Sequence, residues 1–220
     1  MKKTRCVLFD SEGLTLIELM IVLVLSLLLM SAVYLAYQLQ HRTSQVQFQI
    51  SAAQQDLRAV VEIISADIRH AGADPTFSQT IAGIPADESG PNYLRMVMDL
   101  NSDGVTTATG ENISYRLNGT NLERFDINPN ILQVLAQNVT TFGLTYWGEQ
   151  SDGTVFQIVP TGPANPPEQP GNTLGISQVS DVRFIDVRVE MRTAQNDPDT
   201  GNPISRSLSR RICRRNGIEQ

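Results

Sequence analysis

Cysteine, helix breakers and basic charge are all scarce in this chain, and each scarcity excludes something. The 220 residues include two cysteines, Cys6 and Cys213, at opposite ends of the sequence. That is too few and too widely spaced for a disulfide framework or a cysteine-based zinc site. Neither proline nor glycine occurs in residues 14–71, so nothing there would stop a helix. Seventeen Lys and Arg face twenty-three Asp and Glu, a net charge of −6, which argues against a broadly basic, nucleic-acid-coating surface. Catalytic signatures are missing as well. The two histidines, His41 and His70, are far apart in the helical stretch, and there is no Ser-His-Asp, His-Glu-x-x-His or phosphate-binding glycine motif. The residues suggest no enzyme. With 41% hydrophobic and 18% charged residues, the chain has the composition of a folded globular protein and shows no internal repeat.

What is abundant is apolar sequence near the start. Residues 14–37 are 24 positions whose only charged member is Glu18, and about 20 apolar residues suffice to cross the hydrocarbon core of a bilayer. Lys2, Lys3 and Arg5 precede the run, offset by Asp10 and Glu12, so the first thirteen residues carry +1 and the remainder −7. Positive residues flanking a first span stay cytoplasmic, which places everything after Tyr37 on the other side of the membrane. An ordinary secretory signal has an apolar stretch of about 7 to 15 residues and a small-x-small cleavage site. This run is longer and offers no clean site between Met30 and Tyr37.

Glu18 has two readings. An ionised carboxylate at the bilayer centre costs about 2.5–3.5 kcal/mol on insertion scales, so an intramembrane glutamate is by default functional and needs a partner, and no Lys or Arg lies within the span. Alternatively, Thr15 and Glu18 form a Thr-x-x-Glu capping box at a helix start wet enough to hold the charge.

The residues Gly13-Leu14-Thr15-Leu16-Ile17-Glu18-Leu19 resemble the processing and methylation motif of type IV prepilins. The resemblance implies cleavage after Gly13 by a dedicated prepilin peptidase, N-methylation of the new terminus at Leu14, and a role for Glu18 in assembly. An α-amino group titrates near 7.7–8.0, so each processed subunit would carry one positive and one negative charge about a helical turn apart. Across neighbouring subunits these charges can pair. The sequence departs from the family pattern in having Leu14 where phenylalanine is commoner, and in a leader that contains Asp10, Glu12 and an apolar stretch at residues 6–9.

The helix continues past the apolar run. Ile50, Ala53, Leu57, Val60, Ile64, Ile68 and Ala71 recur at steps of three and four, with Gln54, Arg58, Glu62 and Arg69 on other faces. That stripe should pack against the protein's own globular domain, with Arg58 and Glu62 placed to pair one turn apart. Fifty-eight residues at 1.5 Å each would span about 87 Å, and Gly72 is a suitable stop. Beyond Pro75 the period changes to two: Leu94, Met96, Met98; Ile113, Tyr115, Leu117; Phe142, Leu144, Tyr146; Ile185, Val187, Val189, Met191. Turn chemistry separates these strands at Asn118-Gly119, at Ser151-Asp152-Gly153 and over residues 197–203, while residues 160–175 read as a proline-rich loop. The expected fold is α+β, a long N-terminal helix packed on a C-terminal antiparallel sheet domain. Its parts are a leader (1–13), a transmembrane and assembly helix (14–37), an amphipathic second half (38–72) and a β-rich globular domain (73–220).

The helix end Asp67-Ile68-Arg69-His70-Ala71-Gly72, the segment at residues 138–146 and the final strands at 182–192 and beyond are similar to PilW-type minor pilins, relatives of the J-type type II secretion pseudopilins. Major pilins of that superfamily usually close a C-terminal loop with a disulfide. Here the mature part would hold only Cys213, which favours a minor subunit. The resemblance implies a type IV pilin fold, location in the bacterial inner membrane with a periplasmic C-terminal domain before assembly, and a pilus or pseudopilus afterwards. The implied partners are the peptidase, the inner-membrane assembly platform and other major and minor pilins. Apical subunits of such complexes typically lack the glutamate, so Glu18 implies a sub-apical position.

Two further groups stand out. Asp99, Asn101 and Asp103, followed by Gly104, match the first half of a calcium loop. The twelfth position is Gly110 rather than glutamate, Glu111 comes one residue late, and strands flank the loop, so it is not an EF-hand. A polar turn built from residues that tolerate left-handed backbone is the competing reading. Arg210, Arg211 and Arg214 belong to a basic cluster with Arg206 and Arg215. It would serve either as a docking surface for a fellow subunit or as an edge strand whose arginines pair with the domain's surplus acids. Without interleaved aromatics, nucleic acid is not the expected partner. The function expected is priming or capping a pilus. The alternatives are a pseudopilin of a type II secretion machine and an adhesin or DNA-uptake subunit at the tip.

Overall fold

The computed structural model describes residues 15–76, 81–162, 172–198 and 200–215. The chain divides into two compact units, residues 1–47 and 48–220. One helix, α1 (Leu16–His70), contributes to both.

In the first unit the side chains of α1 are almost all exposed. In the second unit the same helix buries one face, at Ala53, Leu57, Val60, Val61, Ile64, Ser65 and Ile68. The expected stripe is present, and it is wider than the sequence pattern by Val61 and Ser65, while Ile50 is only half-buried. The Ser65 hydroxyl donates to the Val61 carbonyl at 2.5 Å, so a polar group enters the core already satisfied. The helix stops at His70, and Gly72 takes a left-handed φ of 76°, the geometry that glycine adopts without steric cost.

Among the described residues eight strands follow in two antiparallel sheets. The first contains β1 (Tyr93–Val97), β2 (Asn112–Asn118), β3 (Asn121–Asp126) and β4 (Ile131–Ala136), side by side in chain order. The second contains β5 (Val139–Glu149), β6 (Val155–Ile158), β7 (Phe184–Asn196) and β8 (Pro203–Cys213), in the order β6-β5-β7-β8. A short helix, α2 (Ile176–Asp181), precedes β7. The alternating residues read from the sequence do point inward: Leu94, Met96, Tyr115, Phe142, Tyr146, Ile185 and Val189 join the helix stripe in one core.

The structure differs from the sequence reading in three respects. The strands form two sheets, not one, because the chain changes sheet between β4 and β5. Asn138 sits there with φ of 58° and accepts from the Arg192 amide of β7 at 2.9 Å. Second, β3, β4, β6 and α2 had no clear period-two or helical signal, and β4 in particular is apolar at successive positions. Third, Glu62 pairs with Arg69 (3.6 Å) and with Arg210 of β8, and Arg58 is not among its partners.

A polar cluster ties α1 to the first sheet. Asp67 Oδ2 accepts from the Tyr115 hydroxyl at 2.5 Å and from Arg124 Nε at 3.0 Å. Burial, reinforced by the Asp67 charge, pushes the Tyr115 phenol far above its ordinary range, so the hydroxyl stays a donor. Replacing Asp67 with Ala leaves two partly buried donors unpaired and should cost about 1–3 kcal/mol in urea unfolding of the full chain in detergent. Adding Arg124→Met should recover part of that loss.

A second expectation concerns the helix stop. Gly83 (φ 78°) lies so close that an added Cβ would meet the Gly72 nitrogen at 2.9 Å, whereas at Gly119 (φ 60°) nothing lies within 4 Å. Asparagine tolerates both φ values, so Gly83→Asn should destabilise by about 2 kcal/mol or more and Gly119→Asn by about 0.5 kcal/mol or less, measured in the same unfolding experiment.

Candidate functional site: the helix start and its apolar run

Thr15 caps α1. Its backbone N–H and its hydroxyl both donate to Glu18 Oε2 at 2.9 Å, and the Glu18 amide donates back to the Thr15 hydroxyl at 3.4 Å. This is the reciprocal capping box that the Thr-x-x-Glu spacing allows. The negative side chain also sits where the first-turn N–H groups present partial positive charge. Both donors use the same carboxylate oxygen, so among the described residues Oε1 has no hydrogen-bond donor. Gly13 and Leu14, the positions implicated in cleavage and methylation, and the leader before them lie outside the described residues.

Downstream, α1 contains a stretch long and apolar enough to cross a membrane, none of it buried within the protein. Leu16 and Met30 near its ends are 78% and 71% exposed. Covering such a surface requires lipid or other apolar helices. The two serines in the run are internally satisfied: the hydroxyls of Ser26 and Ser31 donate to the carbonyls of Leu23 and Leu28 at 2.8 Å. At the far end Tyr37 stacks on His41, with centroids 5.9 Å apart, an amphipathic pair of the kind found at membrane–water boundaries.

The three arginines singled out near the C-terminus do not converge on one surface. Arg210 and Arg211 are consecutive on β8 and point to opposite sides of the sheet. Arg210 bonds to Glu62 of α1. Arg211 makes a two-pronged bond to Asp186 at 2.7 and 2.8 Å and lies 4.6 Å over the Trp147 ring. Trp147 Nε1 donates to the same Asp186 at 2.8 Å, and the Arg211 bond holds the Asp186 carboxyl below the usual carboxylate range. Arg214 is buried, donating to the carbonyls of Val179 (3.3 Å) and Ala82 (3.1 Å), and burial lowers its pKa with a smaller contribution from Arg183. The pairing of arginines with surplus acids is thus the arrangement present at Arg210 and Arg211.

The loop after β1 is stapled by its own acids. Asp99 accepts from the amides of Ser102 (2.6 Å) and Gly104 (2.9 Å), Asp103 from Val105 (2.9 Å), and Asn101 Nδ2 donates to Asp103 at 2.9 Å. Glu111, the late glutamate, bonds to the amides of Leu100, Asn101 and Ala108. Among the described residues no group of three or more His, Cys, Asp or Glu side chains is arranged to hold a metal ion. The polar groups that sequence reasoning passed over are Asp67, Arg124 and Asp186. Asp67 lay within a quoted stretch, but only the fold reveals its partners, 48 and 57 residues away.

Comparison with known families bears on both ends of this description. No curated protein matches the chain. The prokaryotic N-terminal methylation motif matches residues 9–34, which takes in the capping box and most of the apolar run. The family of prepilin peptidase-dependent protein B matches residues 46–211, from the buried half of α1 to within two residues of the end of β8. The chain therefore belongs to the prepilin peptidase-dependent protein B family and is a type IV prepilin-like minor pilin, made to be processed by the peptidase that names that family.

Proposed function

We propose that the processed protein is a structural subunit of a type IV pilus, placed below the apex of a short complex of minor pilins that primes or caps the fibre. Before assembly the apolar part of α1 holds it in the inner membrane with the β domain in the periplasm. The supporting observation is the state of Glu18. It is the only charged residue in an exposed apolar run, and its capping bonds occupy one carboxylate oxygen. The other oxygen is available to the cationic Leu14 amine of an adjacent subunit. Such a pair lowers the cost of holding both charges in apolar surroundings as the helices slide together from bilayer into the fibre core. It also fixes axial register, which featureless apolar contact between helices does not. No step in this role involves bond chemistry beyond the processing and methylation done to the chain by others.

Replacing Glu18 with Ala should leave cleavage and membrane anchoring intact while lowering recovery of this subunit in sheared fibres by about 10-fold or more. Glu18→Asp should fall between the two. Normal incorporation of Glu18→Ala would refute the pairing. Intact-mass measurement of the chain recovered from membranes should show loss of residues 1–13 and one added methyl group. Piliation and exoprotein release in a strain lacking the protein then separate the reading from the secretion alternative. Loss of fibres with normal release is expected, and the reverse would assign the chain to a secretion machine.

A further inference from the structure

Between positions 14 and 55 the only Asp, Glu, Lys or Arg residues are Glu18, near the start of α1, and Arg42, beyond the apolar run. Their separation in sequence corresponds to about 36 Å along the helix. A bilayer's hydrocarbon core is about 30 Å thick, and its full thickness with headgroups is about 40–45 Å. A helix spanning at this spacing therefore holds each charge in a headgroup layer, one on either side. An ordinary tilt of about 20° shortens the separation only to about 34 Å. Raising or lowering the helix by one turn, about 5.4 Å, drives one of the two charges into hydrocarbon. Arg42 also stands on the less expected side. Lys and Arg next to a first span concentrate on the cytoplasmic side, and Arg42 follows the run on the other, so its position calls for a specific use.

The residues around it form a face. At about 100° per residue, Tyr34, Tyr37, Gln38, His41, Arg42 and Gln45 fall within an arc of about 140°, while Leu35, Ala36, Leu39 and Val46 occupy the rest of the circumference at this level. Within the face Tyr37 stacks on His41, and His41 bonds to Gln45, Nε2 to Nε2 at 3.1 Å. Tyr34, Tyr37 and Arg42 are exposed. Among the described residues the Arg42 guanidinium and both tyrosine hydroxyls have no hydrogen-bond partner. The group that satisfies them has to be anionic, rich in acceptors, and present at the end of the span before any fibre forms. A lipid phosphate meets all three requirements.

We propose that this face is a phospholipid headgroup site. The Arg42 guanidinium makes a two-pronged bond to the lipid phosphate, the geometry for which arginine is better shaped than lysine. Tyr34 and Tyr37 donate their hydroxyls to oxygens beside it and keep their rings against the acyl chains. With this face held at one boundary, Glu18 lies in the headgroup layer of the other, where its unpaired Oε1 stays hydrated until another subunit's amine reaches it. The site rests on the reading that the apolar run spans the inner membrane, and it is independent of the partner Glu18 later meets.

The test uses the full processed chain in detergent, exchanged with phosphatidylglycerol or with a neutral galactolipid that has no phosphate, and counts retained lipid by native mass spectrometry. The native sequence should retain phosphatidylglycerol over galactolipid by about 10-fold or more, the scale of one charge-assisted pair of bonds. Arg42→Gln should abolish that preference and Arg42→Lys should keep part of it. Arg58→Gln, which removes an exposed arginine in the other half of α1, should leave it unchanged. Excess inorganic phosphate should not displace the lipid. Extraction of the native chain from membranes by alkaline carbonate would refute the span itself. In a chain that resists extraction, four results each overturn this site alone: no preference for the phosphate lipid, a preference that survives Arg42→Gln, an equal loss with Arg58→Gln, or displacement by inorganic phosphate.

Discussion

A helix closes its backbone hydrogen bonds within itself, and this property lets α1 serve in two different surroundings. In residues 16–37 the side chains are apolar on every face and the serine hydroxyls fold back onto the helix. The backbone and both serine hydroxyls thus find their partners within the helix itself. From Ala53 onward one face packs on the sheets while Glu62, Arg69 and Asp67 deal with the rest. Because no proline or glycine interrupts the stretch, one continuous ladder of bonds carries the chain through both. Each other part of the structure is fitted to one of these two halves.

The β domain supplies what the second half lacks, a partner for its apolar stripe. Two sheets share the work because the chain reverses its allegiance at Asn138, whose left-handed backbone ends one ladder and whose carbonyl opens the next. The switch leaves β4 as the last strand of its sheet.

Charge is used sparingly and locally. The C-terminal arginines, which in sequence form one basic cluster, are separated by the pleat: Arg210 reaches α1, Arg211 binds Asp186 beneath the Trp147 ring, and Arg214 is enclosed among backbone carbonyls. The loop at residues 99–104 illustrates the same economy. Its Asp and Asn side chains cap the loop's own amides, which is how short polar side chains stabilise irregular backbone whether or not an ion is near.

Much of this was legible in the residues alone, and the reason is that those features are local. The seven residues from Gly13, the unbroken apolar run, the helical stripe from Ala53 to Ala71 and the alternation in β1, β2, β5 and β7 are set by neighbours a few positions apart, so a periodic pattern carries them. The capping box at Thr15 and Glu18 was one of two open readings for the same reason. What only the tertiary structure decided depends on partners far along the chain: the division into two sheets, the meeting of Asp67 with Tyr115 and Arg124, and the dispersal of the arginine cluster. Strand β4 was invisible because both of its faces are apolar and open, which erases the alternation that marks a half-buried strand. Sequence specified the elements, and long-range pairing determined which edges, faces and charges those elements leave available.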